Sequence, residues 1–296
     1  MRVALTGVSG FIGSEIARHL ARAGHSVTGL VRETSRRKHV SEYVDRFVVG
    51  DQADSSAWPA LLDDADCIVH NSVDWGPLRT PDIKEHLELN LVGSLLLLEA
   101  SAPRQFIFIS SVGALSDIRP RWQGVIDEDH PLRPGSVYGA YKASIEAHLW
   151  SVWLRTGQNC SALRPCGVYG IDPNLDRSIG YPIIKSVRDG EPFTRVKGGK
   201  FVHVEDVALA VMGVLDNPAA AGQAYNLVDC YARWADWAVM ARTLLGGECE
   251  IDTSSPDQAK NTFSKDAANS IGVKLDRGHE GIKTHIAELI ERIDAE

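Results

Sequence analysis

A glycine stands at every third position of Thr6-Gly7-Val8-Ser9-Gly10-Phe11-Ile12-Gly13, directly behind the apolar run Val3-Ala4-Leu5. The pattern commits the first thirteen residues to a strand that turns abruptly into a helix. One glycine permits the tight turn, one lets the backbone approach a ligand, and one lets the new helix pack close to the sheet. The helix N-terminus made this way offers unpaired N–H groups and the positive end of the helix dipole. Both favour an anion such as the pyrophosphate of a dinucleotide. Gly7, Gly10, Phe11, Ile12 and Gly13 are the first candidate cofactor residues.

Further strand-like runs follow at Ser26-Val31, Arg46-Val49, Cys67-His70, Gln105-Ser110 and Cys160-Leu163, separated by helical patterns such as Ile12 to Ala23 and Leu87 to Ala100. Strands alternating with helices imply right-handed crossovers and a parallel sheet covered on both faces. The expected fold class is α/β: a Rossmann doubly wound parallel sheet with a smaller α/β substrate-binding region at the C-terminal side. Residues 1–165 form the expected nucleotide-binding core, to which 201–228 return through a strand at Phe201-Val204, a helix at Val207-Leu215 and a strand at Ala224-Val228. Residues 166–200 and 229–296 form the expected substrate-binding region.

Composition narrows the partners. A net charge of -8 argues against a nucleic-acid surface. No apolar run approaches the ~18 residues needed to span a bilayer, and no signal segment is expected before the first strand. The cysteines Cys67, Cys160, Cys166, Cys230 and Cys249 are odd in number and form no C-x-x-C pair. Neither a disulfide framework nor a metal site is expected, and a cytoplasmic location is.

Ligands of such sheets bind where the strands end, so the residues closing each strand are the ones to search. NAD-binding sheets carry a carboxylate at the end of the second strand, for the ribose hydroxyls. Here Val31 stands there, followed by Arg32, with Arg36, Arg37 and Lys38 beyond. A guanidinium suits the 2′-phosphate of NADP through charge-assisted, often bidentate contacts, so NADP(H) is expected over NAD(H), although Glu33 is near enough to reach a ribose. Asp51 and Gln52 close the third strand and Ser72 follows the fourth, completing the cofactor candidates on this side.

Tyr138 and Lys142 are four residues apart, which puts them on one face of a helix. A nearby ammonium favours phenolate, so Lys142 is expected to lower the Tyr138 pKa and to hold the ribose hydroxyls. Tyr138 then exchanges a proton with a substrate hydroxyl or carbonyl. Ser111, beyond the strand Phe106-Ser110, places a hydroxyl where a carbonyl oxygen would lie. Trp75 and Trp122 are candidates for an aromatic substrate pocket, with Cys166 beside it. Trp150 with Trp153 and Trp234 with Trp237 have helical spacing and read as core or subunit interface.

With these residues in place the chain resembles the extended short-chain dehydrogenase/reductase family, which includes sugar-nucleotide epimerases, dehydratases and dihydroflavonol-type reductases. The resemblance rests on the glycine opening, Gly50-Asp51, Val69-His70, Leu89-Asn90-Leu91-Val92-Gly93, Ser110-Ser111, Tyr138 with Lys142, Leu163-Arg164-Pro165, Val168-Tyr169-Gly170 and Phe201-Val202-His203-Val204-Glu205-Asp206-Val207. It implies that Ser111, Tyr138 and Lys142 are catalytic, that Pro165, Gly167 and Val168 flank the nicotinamide, and that His203 and Asp206 are structural. It also implies that a homodimer can form through the Tyr138/Lys142 helix, with which Trp150 and Trp153 are compatible.

Two positions depart from the members that act on nucleotide-diphosphate sugars. Gly167 and Gly199 stand where those proteins commonly carry a diphosphate-holding asparagine and arginine, with Arg195, Lys197 and Lys200 nearby as substitutes. The expected activity is therefore hydride transfer between NADP(H) and a carbonyl or alcohol. The alternatives are a sugar or nucleotide-sugar epimerase or dehydratase, and a catalytically silent nucleotide-sensing protein.

Overall fold

The computed structural model describes residues 1–79 and 82–295. In chain order its strands are β1 (Arg2–Thr6), β2 (Ser26–Val31), β3 (Arg46–Val49), β4 (Cys67–His70), β5 (Gln105–Ile109), β6 (Val125–Ile126), β7 (Cys160–Pro165), β8 (Gly167–Tyr169), β9 (Gly198–His203), β10 (Gln223–Leu227), β11 (Cys230–Arg233) and β12 (Thr262–Phe263). Seven of them form one sheet in the order β3-β2-β1-β4-β5-β7-β10, parallel throughout. The chain leaves β1 in one direction to build β2 and β3 and in the other to build β4 onward. The carboxyl ends of β1 and β4 therefore border a crevice, with Thr6 level with His70.

Both faces of this sheet are covered, which is why its strands read as apolar runs without alternation. Val3, Leu5, Val69 and Ile107 pack under the helices Phe11–Arg22 and Val204–Val214, whereas Ala4, Ile68, Phe106 and Phe108 pack under the helix Val137–Thr156. A second sheet, β11-β9-β8, gathers the helices Tyr181–Arg188, Trp234–Leu245 and Gly278–Asp294 around the fully buried Trp237. The short pair β6 and β12 ties the loop before Tyr138 to the C-terminal region.

The segment 201–228 is divided between the two layers. Its helix and β10 join the large sheet, while Phe201–His203 belongs to the central strand of the small one. The helix there starts at Val204, earlier than the hydropathy suggests, because His203 caps it: Nδ1 accepts from the Glu205 backbone N–H at 3.3 Å. The segment Leu87–Ala100 is likewise not one regular α-helix. It opens with a π-helical stretch, Leu87–Val92, and becomes α-helical at Gly93. The widened turn carries Asn90, fully buried, beneath the β4 loop. Trp153 is half-buried against Gly222, where an added Cβ would come within 2.3 Å of its ring.

Candidate active site

The glycine turn is built for close approach. A Cβ on Gly13 would lie 2.0 Å from the Gly7 carbonyl oxygen, and Gly7 has a φ of +68° with the Ser72 backbone 3.0 Å from where its own Cβ would be. Helix Phe11–Arg22 then begins at Gly10 with no side-chain cap and no acidic residue in its first turn. Its first N–H groups are thus left to a ligand, the arrangement a pyrophosphate requires.

A cleft of about 660 Å³ opens from this turn along the carboxyl edge of the large sheet. Of the residues expected from sequence it brings together Gly7, Gly10, Phe11, Ile12, Arg32, Asp51, Gln52, Ser72, Trp75, Ser111, Tyr138, Lys142, Pro165, Cys166 and Val168. Gly13 lies behind it as the packing glycine. Gly167 does not line it, because the space where its Cβ would go is filled by the Lys200 carbonyl and the Phe201 ring. Trp122 is also elsewhere: its Nε1 donates to Asp127 at 2.7 Å and its ring lies between His130 and the Arg121 guanidinium. A larger groove, about 750 Å³, runs beside Arg2, Asp63 and Arg104 at the opposite end of the sheet, where none of these candidates reaches.

At the β2 end the structure separates the basic residues. Arg32 lines the cleft, while Arg37 turns back to donate to the carbonyls of Arg32 and Glu33 and lies over the Phe47 ring. Glu33 is drawn toward Arg37 and does not line the cleft. Two cofactor candidates have part of their capacity committed to the protein. Ser72 Oγ donates to Thr6 Oγ1 at 2.9 Å, and Gln52 Nε2 donates to Asn90 Oδ1 at 2.9 Å. The buried Gln52 Oε1 has no protein partner, an acceptor consistent with a bound dinucleotide. Together with the uncapped helix and the glycine cradle, it fits such a cofactor.

The catalytic candidates converge where β5 ends. Ser111 Oγ accepts from the Gly113 N–H at 3.0 Å and lines the cleft together with Tyr138. Trp75 stacks on the Tyr138 ring, 5.2 Å between centroids and 21° between planes. Lys142 is fully buried; its Nζ donates to the Ile109 carbonyl at 2.6 Å and lies 5.7 Å from the centre of the Tyr138 ring. Burial pushes Lys142 down to about 7, with Glu146 opposing. The expected lowering of the Tyr138 pKa is not found. Burial raises it, and the neighbouring Ser111 hydroxyl offsets only part, because Lys142 is itself desolvated and turned to a backbone carbonyl. Burial also raises the Cys166 thiol, which leaves it a protonated lining group.

Two buried networks hold this arrangement. Asn90 accepts from the Asp74 N–H at 2.7 Å and donates to the Asp74 carbonyl at 2.9 Å, fixing the loop that carries Trp75. His70, held neutral by burial with its pKa near 3, lies 2.8 Å from Thr6 Oγ1 and 2.7 Å from Ser94 Oγ. On the other side Arg164 and Glu146, both 0% exposed, pair at 2.7 Å, and Ser110 Oγ donates to Glu146. Breaking such a buried pair typically costs about 3–5 kcal/mol, so its geometry is tightly specified.

Sequence reasoning missed Ser9, Ser35, Asn71, Asp74, Arg79, Asp172 and Arg177, all on the cleft. Apart from Ser9, which sits inside the glycine turn, none belongs to a spacing with its own chemistry. Only their proximity to strand ends could have flagged them. Arg195 and Lys200, near the departed Gly199, lie over the rings of Trp234 and Phe263 and do not line the cleft.

Comparison with known proteins agrees with this fold. Residues 3–227 match the model of the NAD dependent epimerase/dehydratase family. The chain is 29% identical over 244 residues to a UDP-glucose 4-epimerase of Mycolicibacterium smegmatis, covering 77% of each. It is 27% identical over 282 residues to cinnamoyl-CoA reductase 1 of Arabidopsis thaliana, covering 89% of this chain and 80% of the other. Among solved structures, the Thermus thermophilus UDP-glucose 4-epimerase complex with NAD superimposes with a TM-score of 0.79 at 25% identity, over 98% of this chain and 99% of that one.

Proposed function

The chain belongs to the NAD-dependent epimerase/dehydratase family of NAD(P)-dependent enzymes, and we propose that it is an NADP(H)-dependent oxidoreductase that transfers hydride between nicotinamide and a carbonyl or alcohol substrate. The observation that carries this reading is the convergence of Ser111, Tyr138 and Lys142 on the cleft at the carboxyl edge, with Lys142 Nζ buried against the Ile109 carbonyl and 5.7 Å from the centre of the Tyr138 ring. When bound, the nicotinamide supplies or accepts the hydride. The Ser111 hydroxyl orients the carbonyl oxygen. Tyr138, whose raised pKa keeps it a neutral phenol at neutral pH, holds the proton that this oxygen needs when the carbonyl is reduced. Trp75 covers one face of the phenol and excludes water from it. Residues 166–200 and 229–296 are proposed to close the substrate side.

Support for NADP(H) comes from Arg32, the one member of the basic group at 32–38 that lines the cleft. Arg32→Ala is expected to weaken NADP(H) binding about tenfold or more while leaving NAD(H) unchanged, the loss of a charge-assisted phosphate contact. Nucleotide fluorescence titrations check this. Equal affinities for the two cofactors in the parent protein would remove the preference.

A second reading, an epimerase or dehydratase that retains its nucleotide and returns the hydride, draws support from the identity to UDP-glucose 4-epimerase. Against it stand Gly167 and Gly199, and basic neighbours that do not line the cleft.

We propose a homodimer as well. Val92 and Leu96 are each 46% exposed and Leu154 is 74% exposed, on the neighbouring helical segments Leu87–Ala100 and Val137–Thr156. Light scattering is expected to give twice the 32.3 kDa of one chain; a single-chain mass would refute the assembly. The free cysteines are in keeping with a cytoplasmic protein.

A further inference from the structure

We propose that Asp74 sets the strength of the preference for a 2′-phosphorylated cofactor, by competing with that phosphate for the Arg32 guanidinium. The inference rests on the NADP(H) reading and assigns Asp74 a part in it. Arg32 stands on the β2 side of the cleft and Asp74 on the β4 side, and Arg32 Nη1 lies 3.6 Å from Asp74 Oδ2. The pair therefore spans the rim at the end of β2.

The two partners differ in freedom. Asp74 is held by its backbone from both sides, its N–H donating to Asn90 Oδ1 and its carbonyl accepting from Asn90 Nδ2. Its Oδ1 accepts from the Gly76 N–H at 2.8 Å, and the side chain is only 20% exposed. Arg32 is 65% exposed and anchored only at its backbone, whose N–H donates to Ser35 Oγ at 3.0 Å. The acid is fixed and the guanidinium can swing.

A 2′-phosphate placed on Arg32 must share the guanidinium with this carboxylate and sit beside it as a like charge. A 2′-hydroxyl meets neither cost. Among the other charged groups of this cleft, Asp51 turns Oδ1 to the Ala53 N–H, Asp172 turns Oδ1 to the Asn174 N–H, Lys142 faces the Ile109 carbonyl, and Arg79 and Arg177 have no ion pair among the described residues. None replaces Asp74 as the counter-ion seen on Arg32. Asp74→Asn keeps an oxygen acceptor for the Gly76 N–H while removing the charge.

The test is titration of the parent, Asp74→Asn, Arg32→Ala and the double variant with NADPH and NADH at low ionic strength, after melting curves show each variant folded. Asp74→Asn is expected to tighten NADPH about five- to tenfold and leave NADH within about twofold, since one near-surface charge is removed. The gain should shrink as salt is added, and vanish in the double variant. NADPH affinity that is unchanged or weaker in Asp74→Asn, or an equal gain for both cofactors, would overturn the proposal. So would a loss of NADH affinity, which would make Asp74 a direct ribose acceptor. If Arg32→Ala does not distinguish the cofactors, the NADP(H) reading itself fails; if it does and Asp74→Asn changes nothing, only the role of Asp74 fails.

Discussion

Tyr138→Phe is expected to lower turnover about 100-fold or more, the usual loss when a general acid is removed, with NADPH affinity little changed. Only the hydroxyl is deleted, so the ring still stacks on Trp75 and still packs 6.0 Å from Tyr141. The cofactor cradle at Gly7 and Gly10 lies on another strand end and is untouched. Ser111 keeps the bond from the Gly113 N–H. Turnover and nucleotide titration, measured on the same preparation, check the split. Near-normal turnover would sink the assignment of Tyr138.

Lys142→Met is expected to abolish most activity and yet stabilise the ligand-free protein at neutral pH, by on the order of 1–3 kcal/mol. Lys142 is fully buried and its pKa falls from 10.5 to about 7 on folding. Between those values the native state binds fewer protons than the unfolded chain, so this group's contribution to stability rises with pH across that window. The cost of the buried lysine is therefore fully present below about pH 7 and gone by about 10.5. Methionine carries no such cost, although it gives up the bond to the Ile109 carbonyl. The melting-temperature advantage of the variant should be largest at pH 7 and below and fade at higher pH. A variant no more stable than the parent at pH 7, or an advantage that grows with pH, would contradict the desolvated lysine.

The large sheet was legible because a strand buried on both faces must be apolar throughout, as in Phe106-Ile107-Phe108-Ile109, and because the glycine turn fixes where the first helix begins. Tyr138 and Lys142 were legible for a similar reason: a four-residue spacing is a statement about one helix face. What that spacing could not carry was direction. It placed an ammonium near a phenol, but which atom the ammonium faces depends on the Ile109 carbonyl, thirty-three residues away in sequence. Charge-rich loops were similarly opaque. Arg32, Arg36, Arg37 and Lys38 are alike as sequence, and only the Phe47 ring and two carbonyls explain why Arg37 turns away. Trp122 gave no hint that Asp127 would hold its indole outside the cleft. Asp74 belongs to no motif, and its relevance comes from Asn90, whose place in a π-helical turn no hydropathy pattern announces.

The most direct test of an NADP(H)-dependent reductase is to supply NADPH deuterated at the transferring C4 position, together with a panel of ketones, aldehydes, free sugars and nucleotide sugars. The expected result is an alcohol carrying the deuterium, formed mole for mole with oxidised NADP. An isomerised or dehydrated sugar without deuterium, with the added NADPH intact and a nucleotide retained by the protein, would contradict it.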